Sequence, residues 1–113
     1  MSNREVKEQI DLSIVIPVFD EKESLRELYN RLTKALEQIS YSYELIFVDD
    51  GSKDGSPDPL KAISQEDPRV KVIQLRRNFG KTIALSVGFR EAKGEKIITL
   101  DADLQDLPEE IPT

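Results

Sequence analysis

Four short apolar runs divide the chain, and a segment of different periodicity separates each run from the next. The runs occupy residues 12–17, 44–48, 70–75 and 96–100. The first two are apolar on both faces, which is typical of a central strand in a parallel sheet. The pattern therefore predicts four strands, with the first two buried in the middle of the sheet.

Helical periodicity fills the gaps between these runs. In residues 22–39 the apolar side chains recur every three or four positions and form one stripe. A weaker helical pattern covers residues 58–66, between prolines, and a third covers residues 81–93. We expect Asp20 and the glutamate three residues later to cap the first helix, and Gly94 to end the third.

The alternation of strands and helices predicts the fold class. Such alternation implies right-handed crossovers and a parallel sheet. We predict a Rossmann-like α/β fold with strand order 3-2-1-4, half of a doubly wound sheet, over residues 12–113, after a polar segment at 1–11. Two helices would cover one face and one the other, with the fourth strand at an open edge. This incomplete cover predicts a truncated sheet and a possible homo-oligomer.

Composition and charge exclude several kinds of chemistry. The 113 residues contain no cysteine and no histidine, which excludes disulfides, thiolate metal sites and imidazole-based catalysis. The net charge of −6 opposes binding to a nucleic-acid backbone. No apolar run approaches the roughly 20 residues that span a bilayer. The polar N-terminus does not resemble a signal peptide, so a cytoplasmic location is expected.

Acidic residues gather where three of the predicted strands end. They are, in chain order, Asp20, Glu21, Asp49, Asp50, Asp101 and Asp103. The carboxyl ends of parallel strands meet at one edge, and ligands bind at that edge in open α/β sheets. Carboxylates placed together repel one another, and a divalent cation offsets the repulsion. Since only oxygen ligands are available, the expected metal is Mg²⁺ or Mn²⁺.

The stretch Asp101-Ala102-Asp103 is the strongest metal-binding candidate. Strand alternation points the two carboxylates the same way and Ala102 the other way. Gln105 follows and can add an amide oxygen. The competing interpretation is a solvated acidic loop, because Asp-x-Asp is common, and the acidic pair at 49–50 is also compatible with a simple turn.

One basic cluster follows the third predicted strand. It is Arg-Arg-Asn-Phe-Gly-Lys at residues 76–81, and it opens the third predicted helix. Backbone N–H groups at that helix start, together with Lys81, are suited to meet phosphate charge. A basic surface loop with Asn78 as a helix cap is an equal alternative. Neither a G-x-G-x-x-G motif nor a P-loop motif is present, which argues against a dinucleotide cofactor.

Four stretches, taken together, resemble family 2 glycosyltransferases. They are LSIVIPVFDEKESL, ELIFVDDGSKDGS, LRRNFGKTIALSVGF and GEKIITLDADLQDLPEEIP. The last two resemble the branch that uses polyprenyl-phosphate acceptors, which includes dolichyl-phosphate mannosyltransferases and bacterial undecaprenyl-phosphate sugar transferases. The resemblance implies a GT-A fold, a nucleoside-diphosphate-sugar donor and a hexosyl transfer at the cytoplasmic face of a membrane.

The resemblance also implies roles for particular residues. Those it assigns to the nucleotide-sugar pocket are Pro17, Asp20, Glu21, Asp50, Lys81 and Asp101. Those it assigns to the metal are Asp101, Asp103 and Gln105, with Asp101 and Asp103 as the catalytic pair. Two positions depart from the family pattern. Asp20 replaces an asparagine and adds negative charge near the nucleotide, and Leu107 replaces a proline.

The expected function is donor binding for sugar transfer. Family members continue well past this length into an acceptor-binding half, so we expect this chain alone to transfer little or no sugar. Three other interpretations of an acidic α/β edge remain: a receiver-like or phosphatase-like Mg²⁺ domain, a non-catalytic nucleotide-binding or scaffold module of the same fold, and a nucleotidyltransferase. The first fits poorly, because the first strand ends in Pro17-Val18-Phe19 before its acids and this spacing does not suit such a domain.

Overall fold

The structure, a computed structural model, describes residues 9–54 and 57–102. It contains a parallel sheet in the predicted order β3-β2-β1-β4. The strands are β1 (Ile10–Val18), β2 (Tyr43–Asp49), β3 (Val70–Gln74) and β4 (Gly94–Thr99). Both ends of every strand lie within two residues of the ends of its predicted run. Small differences of this size are expected, because an apolar run indicates that a strand exists more reliably than it indicates where the strand begins and ends.

Three α-helices connect the strands, namely α1 (Leu25–Leu36), α2 (Pro57–Glu66) and α3 (Lys81–Glu91). A short 3-10 turn, Lys22–Ser24, precedes α1, so the first α-helix is shorter at both ends than the predicted span of 22–39. The leucine stripe of α1 is buried, which explains why this helix forms. In the described part of the chain, no helix has the length and apolarity needed to cross a bilayer.

Neither of the two predicted helix caps is formed, and Asn78, the alternative cap of α3, does not act as one either. Asp20 does not cap α1, because its carboxylate accepts a hydrogen bond from the Lys53 backbone N–H at 2.8 Å. Asn78 does not cap α3, since Gly80 occupies the N-cap position with a φ of 102°. Gly94 begins β4, where its backbone lies too close to β1 for a side chain. In each case a contact distant in sequence overrides the local preference.

The sheet separates two apolar layers. In the larger layer, α1 and α2 pack on one face of the sheet, against side chains such as Ile14 and Phe47. In the smaller layer, α3 packs on the other face, against side chains such as Val15 and Ile46. Two helices therefore cover one face and one helix covers the other, as the sequence predicts.

Helix α3 approaches the sheet closely because it presents small residues. A Cβ added to Gly88 would lie 2.4 Å from Cγ1 of Val15, so this position requires glycine. Ala84 is fully buried, whereas the neighbouring residue Ile83 is 47% exposed. Ile97 of β4 is 44% exposed. By strand alternation it lies on the α3 side of the sheet, so this side keeps exposed apolar side chains.

At the amino-terminal end of the strands a buried carboxylate joins four segments. Glu44 of β2 accepts hydrogen bonds from the Ser13 hydroxyl at 2.6 Å and the Lys93 backbone N–H at 2.7 Å. It also forms an ion pair with Lys71 of β3 at 2.8 Å. Burial alone would raise the pKa of Glu44, but these partners outweigh it, and the pKa lies below its usual value.

Candidate functional site

A cavity of about 280 Å³ opens at the carboxyl-terminal edge of the sheet. The predicted site residues that line it are Pro17, Glu21, Asp50, Lys81 and Asp101. Its remaining wall consists of Val18, Phe19 and Ala102. These residues come from the ends of β1, β2 and β4 and the start of α3. The strand order thus brings together side chains that are distant in sequence, as expected for an open α/β sheet.

Asp50 is held firmly by the loop that precedes α3. It is only 3% exposed, and its carboxylate accepts hydrogen bonds from the backbone N–H groups of Phe79 at 2.8 Å and Gly80 at 3.0 Å. The Asn78 side-chain amide donates to the same carboxylate and to the Asp50 backbone carbonyl, both at 3.1 Å. The side chain of Asn78 therefore positions the loop against Asp50.

The loops after β2 and β3 pack backbone to backbone. Gly51 has a φ of 75°, and a Cβ there would lie 2.4 Å from the Arg77 carbonyl carbon and from the Asn78 nitrogen. Both the conformation and the close approach require glycine. In the structure the backbone that it approaches is the neighbouring loop.

Asp20 does not line the cavity with the other predicted residues. Its backbone N–H donates to the Ser52 hydroxyl at 2.8 Å, while its carboxylate accepts from the Lys53 N–H. Asp20 also adopts a φ of 53°, which is uncommon for a residue with a side chain. It therefore joins the loop after β1 to the loop after β2, and its predicted contact with a nucleotide stays a prediction.

Asp49 belongs to the opposite face of the sheet from Asp50. It is fully buried, and burial raises the pKa of its carboxyl group. Ser52 offsets part of this rise, although among the described residues neither carboxylate oxygen of Asp49 makes a hydrogen bond of good geometry. Asp49 does not line the cavity, so only one acid of the Asp49-Asp50 pair contributes to the site.

Lys81 and Asp101 form an ion pair at the cavity wall. The distance from Lys81 Nζ to Asp101 Oδ1 is 2.7 Å, and the two side chains are 61% and 40% exposed. Solvent screens an ion pair of this exposure and makes it weak, so a charged ligand can displace one of the two side chains from the other. Lys81 is also the first residue of α3, where the helix dipole adds positive potential. The arrangement suits an anionic ligand accompanied by a cation.

The segment after β4 is held to the start of α1. The Leu100 N–H still donates to the Val15 carbonyl at 3.1 Å, but the strand itself ends at Thr99. Beyond that point the Ser24 hydroxyl donates to the Ala102 carbonyl at 2.6 Å. The sequence provides no signal for this contact, because the two residues are 78 positions apart.

The predicted metal ligands lie only partly within the described residues. Asp103 and Gln105 are outside them. Within residues 9–54 and 57–102, no three acidic side chains lie close enough together to hold a cation. Asp101 contributes carboxylate oxygen at the cavity wall, and hard cations such as Mg²⁺ and Mn²⁺ prefer oxygen ligands. The oxygen donor at this edge is therefore chemically compatible with such an ion, and Asp101 as a metal ligand stays a prediction.

Comparison with known proteins identifies the family. Residues 13–113 match the family model described as Glycosyl transferase family 2. Because the match covers nearly the whole chain, the chain belongs to glycosyl transferase family 2. This assignment excludes the receiver-like, phosphatase-like and nucleotidyltransferase interpretations.

Curated relatives are substantially longer than this chain. An undecaprenyl-phosphate 4-deoxy-4-formamido-L-arabinose transferase of Pseudomonas fluorescens (strain SBW25) is 51% identical over 102 residues. The alignment covers 89% of this chain and 30% of that protein. The chain thus spans roughly a third of the length of the relatives it matches.

Solved structures share the fold. The mannosyltransferase PcManGT from Pyrobaculum calidifontis, solved in complex with GDP-Man and Mn²⁺, aligns with a TM-score of 0.71 at 23% identity, over 84% of this chain and 28% of that chain. TarS of S. aureus, solved in complex with UDP-GlcNAc, aligns with a TM-score of 0.68 at 27% identity, over 83% of this chain and 27% of that chain. The chain therefore has the GT-A fold.

Proposed function

We propose that the chain supplies the donor-binding part of a glycosyltransferase that transfers a sugar from a nucleoside-diphosphate sugar to a polyprenyl phosphate. The observation that carries this proposal is the cavity wall where Lys81 and Asp101 lie 2.7 Å apart, with Asp50 in the same wall. One wall offers a cation for phosphate and a carboxylate for a metal. Family membership supports the donor, and the acceptor in the name of the Pseudomonas relative supports the polyprenyl phosphate.

The reaction requires negative charge to be stabilised on a leaving diphosphate. An oxygen of the acceptor phosphate forms a bond to the anomeric carbon of the sugar. The bond from that carbon to the diphosphate oxygen breaks, and its electron pair leaves with the nucleoside diphosphate. A divalent cation, when bound, supplies Lewis-acid stabilisation of that charge. Lys81 and the backbone N–H groups at the start of α3 add fixed positive potential nearby.

The proposed acceptor needs little help from a general base. A phosphate monoester has a second pKa of about 6, so it is mostly ionised at neutral pH. Its oxygen is therefore already nucleophilic, whereas a hydroxyl acceptor would need a base to remove its proton. The cavity accordingly needs to bind and orient the donor, and the described residues offer groups suited to that task.

The cavity residues take separate roles in this proposal. Pro17 and Glu21 border the nucleotide, while Asp50 faces the base or ribose. A carboxylate offers about four acceptor positions, so the three hydrogen bonds that Asp50 accepts leave about one for a ligand. Asp101 and Asp103 form the catalytic pair, and Gln105 completes the metal ligands that this chain would supply.

Calorimetry with UDP and GDP in the presence of Mn²⁺ tests the donor site. We expect binding that disappears when EDTA removes the metal. Asp103→Ala should remove the metal-dependent binding. Asp58→Ala, an exposed position in the first turn of α2, should leave it unchanged. No binding of either nucleotide with Mn²⁺, or unchanged affinity in Asp103→Ala, would contradict the proposal.

The proposal also concerns location, transfer and self-association. A polyprenyl phosphate is a membrane lipid, so we place the protein at the cytoplasmic face of a membrane. Since the chain spans roughly a third of its relatives' length, we expect it to bind donor with little or no transfer alone. Exposed Ile83 and Ile97 support self-association, which light scattering at high concentration tests. A clean monomer would contradict the homo-oligomer.

A further inference from the structure

Ser24 stands where a helix cap is expected but does not act as one. It occupies the N-cap position of α1, and serine is among the residues preferred there, because its hydroxyl can accept a hydrogen bond from the first helical turn. In this structure the Ser24 side chain makes no such bond. The Ser24 hydroxyl therefore does not cap α1 and is available to bond a different partner.

The hydroxyl instead donates to the segment that follows β4. Ser24 Oγ lies 2.6 Å from the Ala102 carbonyl oxygen and 3.2 Å from the Glu21 carbonyl oxygen. A hydroxyl has only one proton to donate, and the shorter contact takes the stronger bond. The main partner of Ser24 is therefore Ala102, and Ala102 is itself buried, with 3% exposure.

The Ala102 carbonyl lies, in the sequence, between the two aspartates of the proposed catalytic pair. Because a peptide unit is planar, the carbonyl of Ala102 and the nitrogen of Asp103 belong to one rigid plane. Fixing that carbonyl therefore fixes the plane of the peptide unit that follows Ala102. On the other side of Ala102, the Asp101 carboxylate is held by Lys81. The two contacts thus restrain residues 101 and 102, which carry one member of the proposed catalytic pair and directly precede the other in the sequence.

We propose that Ser24 is a positioning residue for metal and diphosphate binding, acting through its hydrogen bond to the Ala102 carbonyl. This inference rests on the proposed function. Without the bond, residues 100–102 would sample more conformations, and ordering them when the ligand binds would lower affinity. The effect should fall on the metal-dependent part of donor binding.

Two serine substitutions and one control test this role by calorimetry with Mn²⁺ and UDP or GDP. In Ser24→Ala the dissociation constant should rise about five- to tenfold, the range expected for one lost hydrogen bond. Ser24→Thr keeps the hydroxyl and should stay within about twofold of the unaltered chain. Ser64→Ala removes a comparable side-chain hydrogen bond, to the Lys61 carbonyl in α2, and should have no effect. Equal affinities for Ser24→Ala and the unaltered chain would overturn the proposal.

Hydrogen exchange of the ligand-free chain separates this inference from the proposed function. In Ser24→Ala the Leu100 amide, which donates to the Val15 carbonyl, should exchange faster because the residues after it are less restrained, while the first turn of α1 keeps its protection. Faster exchange confined to the first turn of α1 would instead identify Ser24 as a helix cap and refute the positioning role. If the unaltered chain binds neither nucleotide, the proposed function is refuted, and the role of Ser24 in metal binding is refuted with it. The exchange measurement would in that case still show whether Ser24 restrains the segment after β4.

Discussion

Replacing Asp50 with asparagine tests whether its carboxylate organises the loop before α3. The change keeps the shape of the side chain but leaves a single acceptor oxygen for the three groups that donate to Asp50. The new side-chain NH₂ group would also face at least one of these donors. An unpaired buried donor costs about 1–3 kcal/mol. Losing the charge on the remaining hydrogen bonds costs about 1 kcal/mol more. We therefore expect Asp50→Asn to lower the free energy of unfolding by about 2–4 kcal/mol.

Urea denaturation followed by circular dichroism measures this loss, and calorimetry with UDP or GDP and Mn²⁺ measures its effect on binding. Asp54→Asn is the control, because Asp54 is exposed and accepts a hydrogen bond from the Lys22 N–H; it should cost less than about 1 kcal/mol. Asn78→Ala removes the loop contact while keeping the carboxylate, and it should also weaken binding. A stability loss below about 1 kcal/mol in Asp50→Asn, or unchanged binding in Asn78→Ala, would refute the loop-organising role.

Three further substitutions test the packing and charge of the fold by urea denaturation. Gly88→Ala should cost about 1–3 kcal/mol, because its Cβ would overlap the sheet, and an unchanged midpoint would argue against that close approach. The pKa of Glu44 is lowered, so its stabilisation is present above its unfolded pKa and is lost as pH falls through the folded value. Glu44→Gln should accordingly remove part of the acid sensitivity, and a parallel loss at all pH values would contradict this. Hydrogen bonds from Arg69 and Tyr29 lower the pKa of Asp67 from 3.8 to about 2. Asp67→Asn should therefore cost about 2 kcal/mol at pH 7 and little near pH 2; an equal cost at both would be the contrary result.

The fold could be predicted from the sequence because its signals are dense and local. Each buried strand is a run of apolar residues, and the leucine stripe of α1 repeats with helical spacing over its whole length. The capping residues could not be predicted in the same way. Asp20 and Gly94 satisfy the local rules for helix ends, but their backbones contact segments that lie far away in sequence.

The candidate site could be predicted only at the level of the sheet edge. Topology alone brings Asp50, Lys81 and Asp101 into one cavity wall, since parallel strands end on the same side. Which neighbouring acid faces the cavity depends on where the strand stops. β2 extends through Asp49, one residue beyond the predicted run, so alternation turns this side chain towards the α1 and α2 face. The hydroxyl of Ser24 carries no sequence signal at all, because its partner is a backbone carbonyl.

Polar side chains at this edge serve the structure as well as the expected chemistry. Asp20 joins the first loop to the second, and Asp50 joins the second loop to the third. Ser24 and Lys81 then join the segment after β4 to α1 and α3. Each of these contacts orders a loop before any ligand arrives, so the ligand need not supply that ordering free energy. Because loops that remain disordered would have to be fixed during binding, the cross-loop hydrogen bonds favour a cavity whose described walls are formed before a ligand binds.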